Sequence, residues 1–358
     1  MSLELSKKAA AVKPSSTLAI TAKAKELRAQ GKDVVGFGAG EPDFNTPQNI
    51  CDAAIAAIND GFTKYTPASG INELKEAISK KFKAFNHLDY APDQIVISNG
   101  GKHSLTNIFT VLLNPGDEVI IPAPFWLSYP EIVKLAGGVP VIITTTKEQN
   151  FKLTAKDLEN AITDKTKAVV LNTPNNPTGV VYPAELLSQM EQVLTEKEQE
   201  LSTSIYVISD EPYREIVYDG VTVPFILHYF HNGFIGYSYS KSLSLPGERI
   251  GYIVVNNNMD DFSDILSALN VATRILGFVN APSLFQKVIA KTLDASVDVS
   301  IYQENRDILY QHLTKLGFEC IKPQGAFYLF PKVPDGDDKA FCELAKKYNI
   351  LLVPGSSF

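Results

Sequence analysis

The sequence predicts an α/β protein, with a mainly parallel (mixed) sheet carrying helices on both faces and a smaller, discontinuous α/β domain beside it. Three observations carry that reading. Short apolar runs of strand length, at 139–144, 168–171 and 205–208, alternate with helix-like segments at the spacing of a parallel sheet. Two of these runs stop abruptly in polar groups, Asn172-Thr173-Pro174-Asn175-Asn176 and Ser209-Asp210-Glu211-Pro212-Tyr213. Strands do this where the carboxyl edge of an open sheet meets a ligand. The chain, at 358 residues, is also long enough for one large α/β unit and an appendage.

Taken in order, 14–30 reads as a helix, opened by Pro14 and the hydroxyls Ser15, Ser16 and Thr17 and closed by Gly31. An apolar strand at 34–37 runs into Gly38-Ala39-Gly40-Glu41-Pro42-Asp43-Phe44. Glycines at 36, 38 and 40 suggest a dinucleotide fingerprint, but that motif needs a helix opening directly after them, and Pro42 and Pro47 favour an extended loop. Gly40 instead lets backbone come close to a small ligand. A helix at 48–60 leads to a turn-rich loop containing Tyr65, and a second helix covers 71–85. The strand at 94–97 then meets Ser98-Asn99-Gly100-Gly101-Lys102 and a helix. Free N–H groups at such a helix start are an anion site, and the glycines admit a phosphate; a plain turn accounts for the pair equally well. The strand at 118–121 ends in a Pro-rich loop holding Trp126, the single tryptophan, placed to stack on a planar ring or to pack as a core indole. The run 321–330 is assigned as a strand of the smaller domain, which comprises 1–43 and 291–358 and leaves 44–290 as the large domain.

Composition narrows the function. An apolar fraction of 45% is that of an ordinary globular chain, and a net charge of −7 argues against a nucleic-acid surface. No apolar run approaches membrane-spanning length, and the first residues lack the apolar core of a secretory signal. Cys51, Cys320 and Cys342 form no C-x-x-C, so a zinc site or disulfide framework is not expected and a reducing cytoplasm is. His228 and His231 have no third partner for a metal.

The chemistry concentrates around Lys241. It lies in a hydroxyl-rich run, Tyr237-Ser238-Tyr239-Ser240-Lys241-Ser242-Leu243-Ser244, read as the end of a strand, with Arg249 and Gly251 close behind. Held rigidly and partly desolvated, such an amine is neutral often enough to attack a carbonyl and form a Schiff base. The serines and Arg249 suit a phosphate. Asp210, a carboxylate at a buried strand end, needs a cation, and a protonated ring nitrogen would serve.

Gly40-Glu41-Pro42-Asp43-Phe44, Lys64-Tyr65-Thr66-Pro67, Gly100-Gly101-Lys102, Asn175-Asn176-Pro177-Thr178-Gly179, Ser209-Asp210-Glu211-Pro212-Tyr213, and Ser238-Tyr239-Ser240-Lys241 with Arg249-Ile250-Gly251-Tyr252, in this order, resemble the class I aminotransferases of fold type I, which use pyridoxal 5′-phosphate. The likeness is nearest to the bacterial aspartate enzymes. It implies that Lys241 carries the cofactor, that Asp210 pairs with its ring nitrogen, and that Asn176 and Tyr213 bond the ring oxygen while Trp126 stacks on the ring. Gly100, Gly101, Lys102, Ser238, Ser240 and Arg249 would form the phosphate cup. Tyr65 would reach the phosphate of a partner subunit, implying a homodimer with shared sites. Gly40, Trp126 and Asn176 would meet the substrate, and Lys102 with Ser15 would read a distal carboxylate, pointing to L-aspartate as amino donor and 2-oxoglutarate as acceptor. Pro212 and 243–248 depart from the usual wording near the cofactor. The family continues beyond Val353-Pro354-Gly355-Ser356-Ser357-Phe358 with an arginine that clamps the substrate α-carboxylate, so a longer parent chain is expected. Transamination of another amino acid, a β-lyase, and a non-catalytic cofactor-binding domain remain open alternatives.

Overall fold

The computed structural model describes residues 6, 10, 12, 16–38, 40–86 and 88–358. Pro14 and Ser15 lie outside them; the helix expected there is α1, Ser16–Ala29, followed by Gly31 at φ +79°. Next come β1 (Val35–Gly36), α2 (Gln48–Asn59), α3 (Asn72–Asn86), β2 (Ile95–Ser98), α4 (Gly101–Leu112), β3 (Glu118–Ala123), α5 (Ser128–Leu135) and β4 (Val139–Thr144). The middle of the chain supplies α6 (Ala155–Ala161), β5 (Thr166–Asn172), α7 (Ala184–Leu201), β6 (Tyr206–Asp210), β7 (Gly233–Ser238), the single turn α8 (Tyr239–Ser242) and β8 (Gly251–Val255). Then follow α9 (Phe262–Ile275), α10 (Ser283–Lys291), α11 (Val299–Lys315), α12 (Asp338–Lys346) and β9 (Ile350–Leu351).

The main sheet has seven strands in the order β2-β8-β7-β6-β5-β3-β4. Neighbours from β4 to β7 are parallel, whereas β8 runs against both β7 and β2. The sheet is therefore mixed, as expected, although β8 itself carries no strand prediction. Alternation along each strand sends side chains to opposite layers. Val96, Phe234, Ile208 and Val170 pack with Leu105, Ile108 and Phe109 of α4 and Leu269 of α9. On the other face, Ile95, Ile97 and Ile235 pack with Ile50 of α2, Leu74 and Ile78 of α3 and Val288 of α10. Val169, Leu171 and Val207 on that face meet Leu158 of α6 and Leu187 and Met190 of α7.

Register fixes the carboxyl edge. Asn172 stands opposite Asp210, Asp210 opposite Gly236, and Ser238 and Ser98 both opposite Gly251. The polar ends of four strands thus share one edge.

Two expectations need correction. The run 321–330 is not a regular strand: it makes an isolated bridge from Gly325 to Val217, with Glu319 and Lys332 bridged beyond its ends. Pro323 lacks an N–H for a ladder, and Gly325 is pressed against the Ile216 carbonyl, where a Cβ would come within 2.7 Å. The apolar run at 34–37 pairs only through Val35–Gly36, in parallel with Ile350–Leu351 near the other end of the chain.

Candidate active site

The edge of the sheet opens into a crevice of about 1490 Å³ whose walls include Gly101, Trp126, Asn176, Asp210, Lys241 and Arg249. Its floor is the end of β6. Asp210 is 6% exposed, and its Oδ2 accepts a 2.6 Å bond from the Tyr129 hydroxyl of α5. Burial pushes its carboxyl up to about 7, opposed by that bond and reinforced by the neighbouring charge of Glu211. Asn172 at the end of β5 donates to the Asp210 carbonyl at 2.8 Å and accepts from the Asn176 N–H at 2.7 Å. The loop carrying Asn176 is therefore tied to the strand carrying Asp210. Tyr213 shares a 2.5 Å hydroxyl–hydroxyl bond with Tyr328. Burial raises the Tyr213 phenol well above its ordinary value, and the Asn176 side chain opposes that rise.

Lys241 sits in α8, one turn past the end of β7 rather than on the strand, as the sequence reading had it. The Ser238 side chain caps this turn, accepting from the Ser240 N–H at 3.3 Å. The Lys241 Nζ donates to the Gly40 carbonyl and stands 5.6 Å from the centre of the Phe327 ring. Burial lowers its pKa to about 8, with Glu41 opposing and Arg249 assisting. On that value about one amine in ten is neutral at pH 7.

Across the crevice, α4 begins at Gly101 behind Gly100, whose φ of +78° favours glycine. A Cβ on Gly100 would sit 2.6 Å from Arg249 Nη2, and one on Gly101 would sit 3.4 Å from the Ser238 Cβ and 3.8 Å from Asp210 Oδ1. Both glycines keep a cradle open. Arg249 donates to the carbonyls of Pro246 (2.9 Å) and Asn99 (3.3 Å) and to the Ser240 hydroxyl (3.5 Å). Helix N–H groups, serine hydroxyls and a guanidinium converging on an open space form an anion seat. Lys102 places its Nζ 5.0 Å from the centre of the Trp126 ring, and burial together with Arg249 lowers its pKa.

Residues 32–358 match the family model described as aminotransferase class I and II. The aspartate aminotransferase of Bacillus sp. strain YM-2 is 45% identical over 96% of this chain and 89% of its own. That of Geobacillus stearothermophilus is 42% identical over 99% and 92%. The chain belongs to the class I and II aminotransferases. Solved structures agree: an aminotransferase from Eubacterium rectale superposes with a TM-score of 0.93 at 38% identity, covering 98% of this chain and 89% of its own. The aspartate aminotransferase of Thermus thermophilus with maleate gives 0.90 at 35% identity, covering 99% and 92%.

Pyridoxal 5′-phosphate is the cofactor of this aminotransferase, and the residues present fit it. Asp210 is a buried carboxylate whose charge needs a cationic partner, the phosphate has a glycine-floored cradle, and a buried, partly neutral amine faces both across one crevice. Of the residues singled out from sequence, Gly40, Gly101, Lys102, Trp126, Asn176 and Asp210 line this crevice, as do Tyr213, Ser238, Ser240, Lys241 and Arg249. Gly100 shapes its rim through Arg249. Trp126 is partly buried and meets Tyr129 edge-on at 5.3 Å. Tyr65 does not join the chain's own site and is 87% exposed. Ser15 lies outside the described residues.

Sequence reasoning passed over Tyr129, Asn172 and Tyr328. Tyr129 carried a signal, since it stands one helical turn after Trp126 and a buried carboxylate requires a donor. Tyr328 closes over Gly40, where a Cβ would fall 2.6 Å from its hydroxyl.

Proposed function

We propose that this aminotransferase moves the amino group of L-aspartate to 2-oxoglutarate, with Lys241 as the residue that carries the cofactor. The observation that carries the reading is a buried amine and a buried carboxylate, Lys241 and Asp210, in one crevice with an anion cradle and a second amine, Lys102. The aspartate aminotransferases among its relatives support the substrate. When bound, the cofactor supplies an electron sink for the charge left on the substrate Cα.

The chain's own groups have separable tasks in this reading. Asp210, once ionised, holds a proton on the ring nitrogen, and Tyr129 keeps its Oδ2 oriented. Gly100, Gly101, Ser238, Ser240 and Arg249 seat the phosphate, while Asn176 and Tyr213 bond the ring oxygen. Lys241 Nζ would remove the substrate Cα proton and later return it as an acid, work its lowered pKa of about 8 suits. Lys102, with Ser15, attracts the distal carboxylate.

The enzyme works in the cytoplasm as a homodimer in which Tyr65 reaches the partner's phosphate. The exposed Tyr65, Ile55 and Ile58 of α2, and Val271 and Ile275 of α9 support that arrangement. Residues 44–290 form the large domain, and 1–43 with 291–358 the small one; the pairing of β1 with β9 supports joining the two outer segments. No helix among the described residues is long and apolar enough to cross a membrane.

The deciding experiment follows the visible spectrum of the purified protein before and after L-aspartate. Conversion of the yellow band to the pyridoxamine form, reversed by 2-oxoglutarate, is expected. A band that aspartate leaves unchanged overturns the substrate assignment.

A further inference from the structure

The turn that leads into α4 is held from a direction the reaction itself does not use. Asn99 donates its N–H to Nδ1 of His103 at 3.0 Å, and its carbonyl accepts from Arg249 at 3.3 Å. The Gly100 carbonyl accepts from the N–H groups of His103 (3.1 Å) and Ser104 (3.2 Å). His103 is 4% exposed, and Phe278 covers its ring with centroids 4.3 Å apart. The side chain three positions into the helix thus reaches back to the backbone before its start, as the glutamate of a capping box does.

We infer that His103 is a positioning residue for the cofactor phosphate: its Nδ1 fixes the Asn99 peptide, so that the N–H groups opening α4 point into the cradle. This rests on the reading of the Gly100–Gly101 turn as the phosphate seat. An imidazole can accept at Nδ1 only while neutral, with its proton on Nε2. Burial holds the ring neutral, lowering His103 to about 4 against a smaller opposing effect of Asn107. Nε2 meets no hydrogen-bond partner among the described residues, so the Asn99 N–H is what selects the tautomer. A histidine suits the task because its acceptor sits on the same reach as an asparagine Oδ1, close to its own backbone, while the ring packs under Phe278.

The test compares pyridoxal 5′-phosphate with pyridoxal, which lacks the phosphate, as ligands of the full chain freed of bound cofactor. His103→Leu is expected to weaken binding of the phosphorylated ligand about tenfold, the scale of a buried N–H left without an acceptor. Binding of pyridoxal should change less than about twofold, and His103→Asn should restore most of the loss. Equal losses for both ligands would mean mere packing and overturn the inference, as would no loss at all. If the unaltered protein itself fails to prefer the phosphorylated ligand, the phosphate seat is wrong and the inference falls with it. Nitrogen-15 spectra of histidine-labelled protein give a check that needs no variant: Nδ1 of His103 should be unprotonated, and a proton there would refute the role.

Discussion

Replacing Asp210 with asparagine should make the cofactor-free protein more stable while removing its activity. In the folded chain burial holds the carboxyl at about 7, against an ordinary value of 3.8. The folded state therefore binds this proton more tightly than the unfolded one. The stability it contributes is fully present below about pH 4 and is lost as pH rises toward 7. About three pKa units at 1.36 kcal/mol each amount to roughly 4 kcal/mol of destabilisation at pH 8. An amide has the same shape, can accept from Tyr129, and does not titrate. Urea midpoints and slopes measured between pH 4 and 8 on both cofactor-free proteins give the comparison, since every other group is common to the two. The variant should gain up to about 4 kcal/mol at pH 8, and the curves should converge near pH 4. A gap independent of pH, or a variant weaker than the parent at pH 8, would refute the reasoning. Activity should fall by several orders of magnitude, because a neutral amide cannot keep a proton on the ring nitrogen.

Three further outcomes are expected. Lys241→Ala should abolish turnover with a melting temperature close to the parent's; retained transamination would exclude this lysine as the cofactor carrier. Capture of added cofactor by the stripped protein should accelerate about tenfold per pH unit up to about 8 and then level off, following the neutral fraction of Lys241, and a rate flat from pH 6 to 9 would contradict that. Gly100→Ala forces a side chain into φ +78° and against Arg249, so it should cost about 1–3 kcal/mol and loosen cofactor binding in an equilibrium titration.

Much of the fold was legible because each element carries a local signal. Gly31 closes α1, apolar runs of strand length mark β3 to β6, and glycines precede α4. The candidate site was legible through Asp210 at the end of β6, Gly101 at the start of α4, and Asn176 and Lys241 in the polar segments just past β5 and β7, where polar residues interrupt apolar runs. What escaped depends on distant partners. Tyr129 meets Asp210 across 81 positions, and Tyr213 meets Tyr328 across 115. No local pattern announces such pairs. The run 321–330 has the apolar content of a strand, yet Pro323 offers no N–H to a ladder, Gln324 and Gly325 both donate to the Gly179 carbonyl and Ala326 donates to that of Ile216, so the segment is irregular instead. β8 escaped for the opposite reason, since Gly251 and Tyr252 read as site motif and hid the strand they begin.

The reversed direction of β8 also bears on how the site is put together as the chain folds. β7 and β8 are antiparallel neighbours joined by residues 239–250, so Lys241, Ser240 and Arg249 are brought into one place by a single local return of the chain. Closing so short a loop costs little entropy. Asp210 reaches the same edge only through parallel crossovers, whose non-local pairing forms slowly. The Lys241 amine, the Ser240 hydroxyl and the Arg249 guanidinium thus come from one local turn of the chain, whereas Asp210 and the Gly100–Gly101 turn reach them only through pairings distant in sequence.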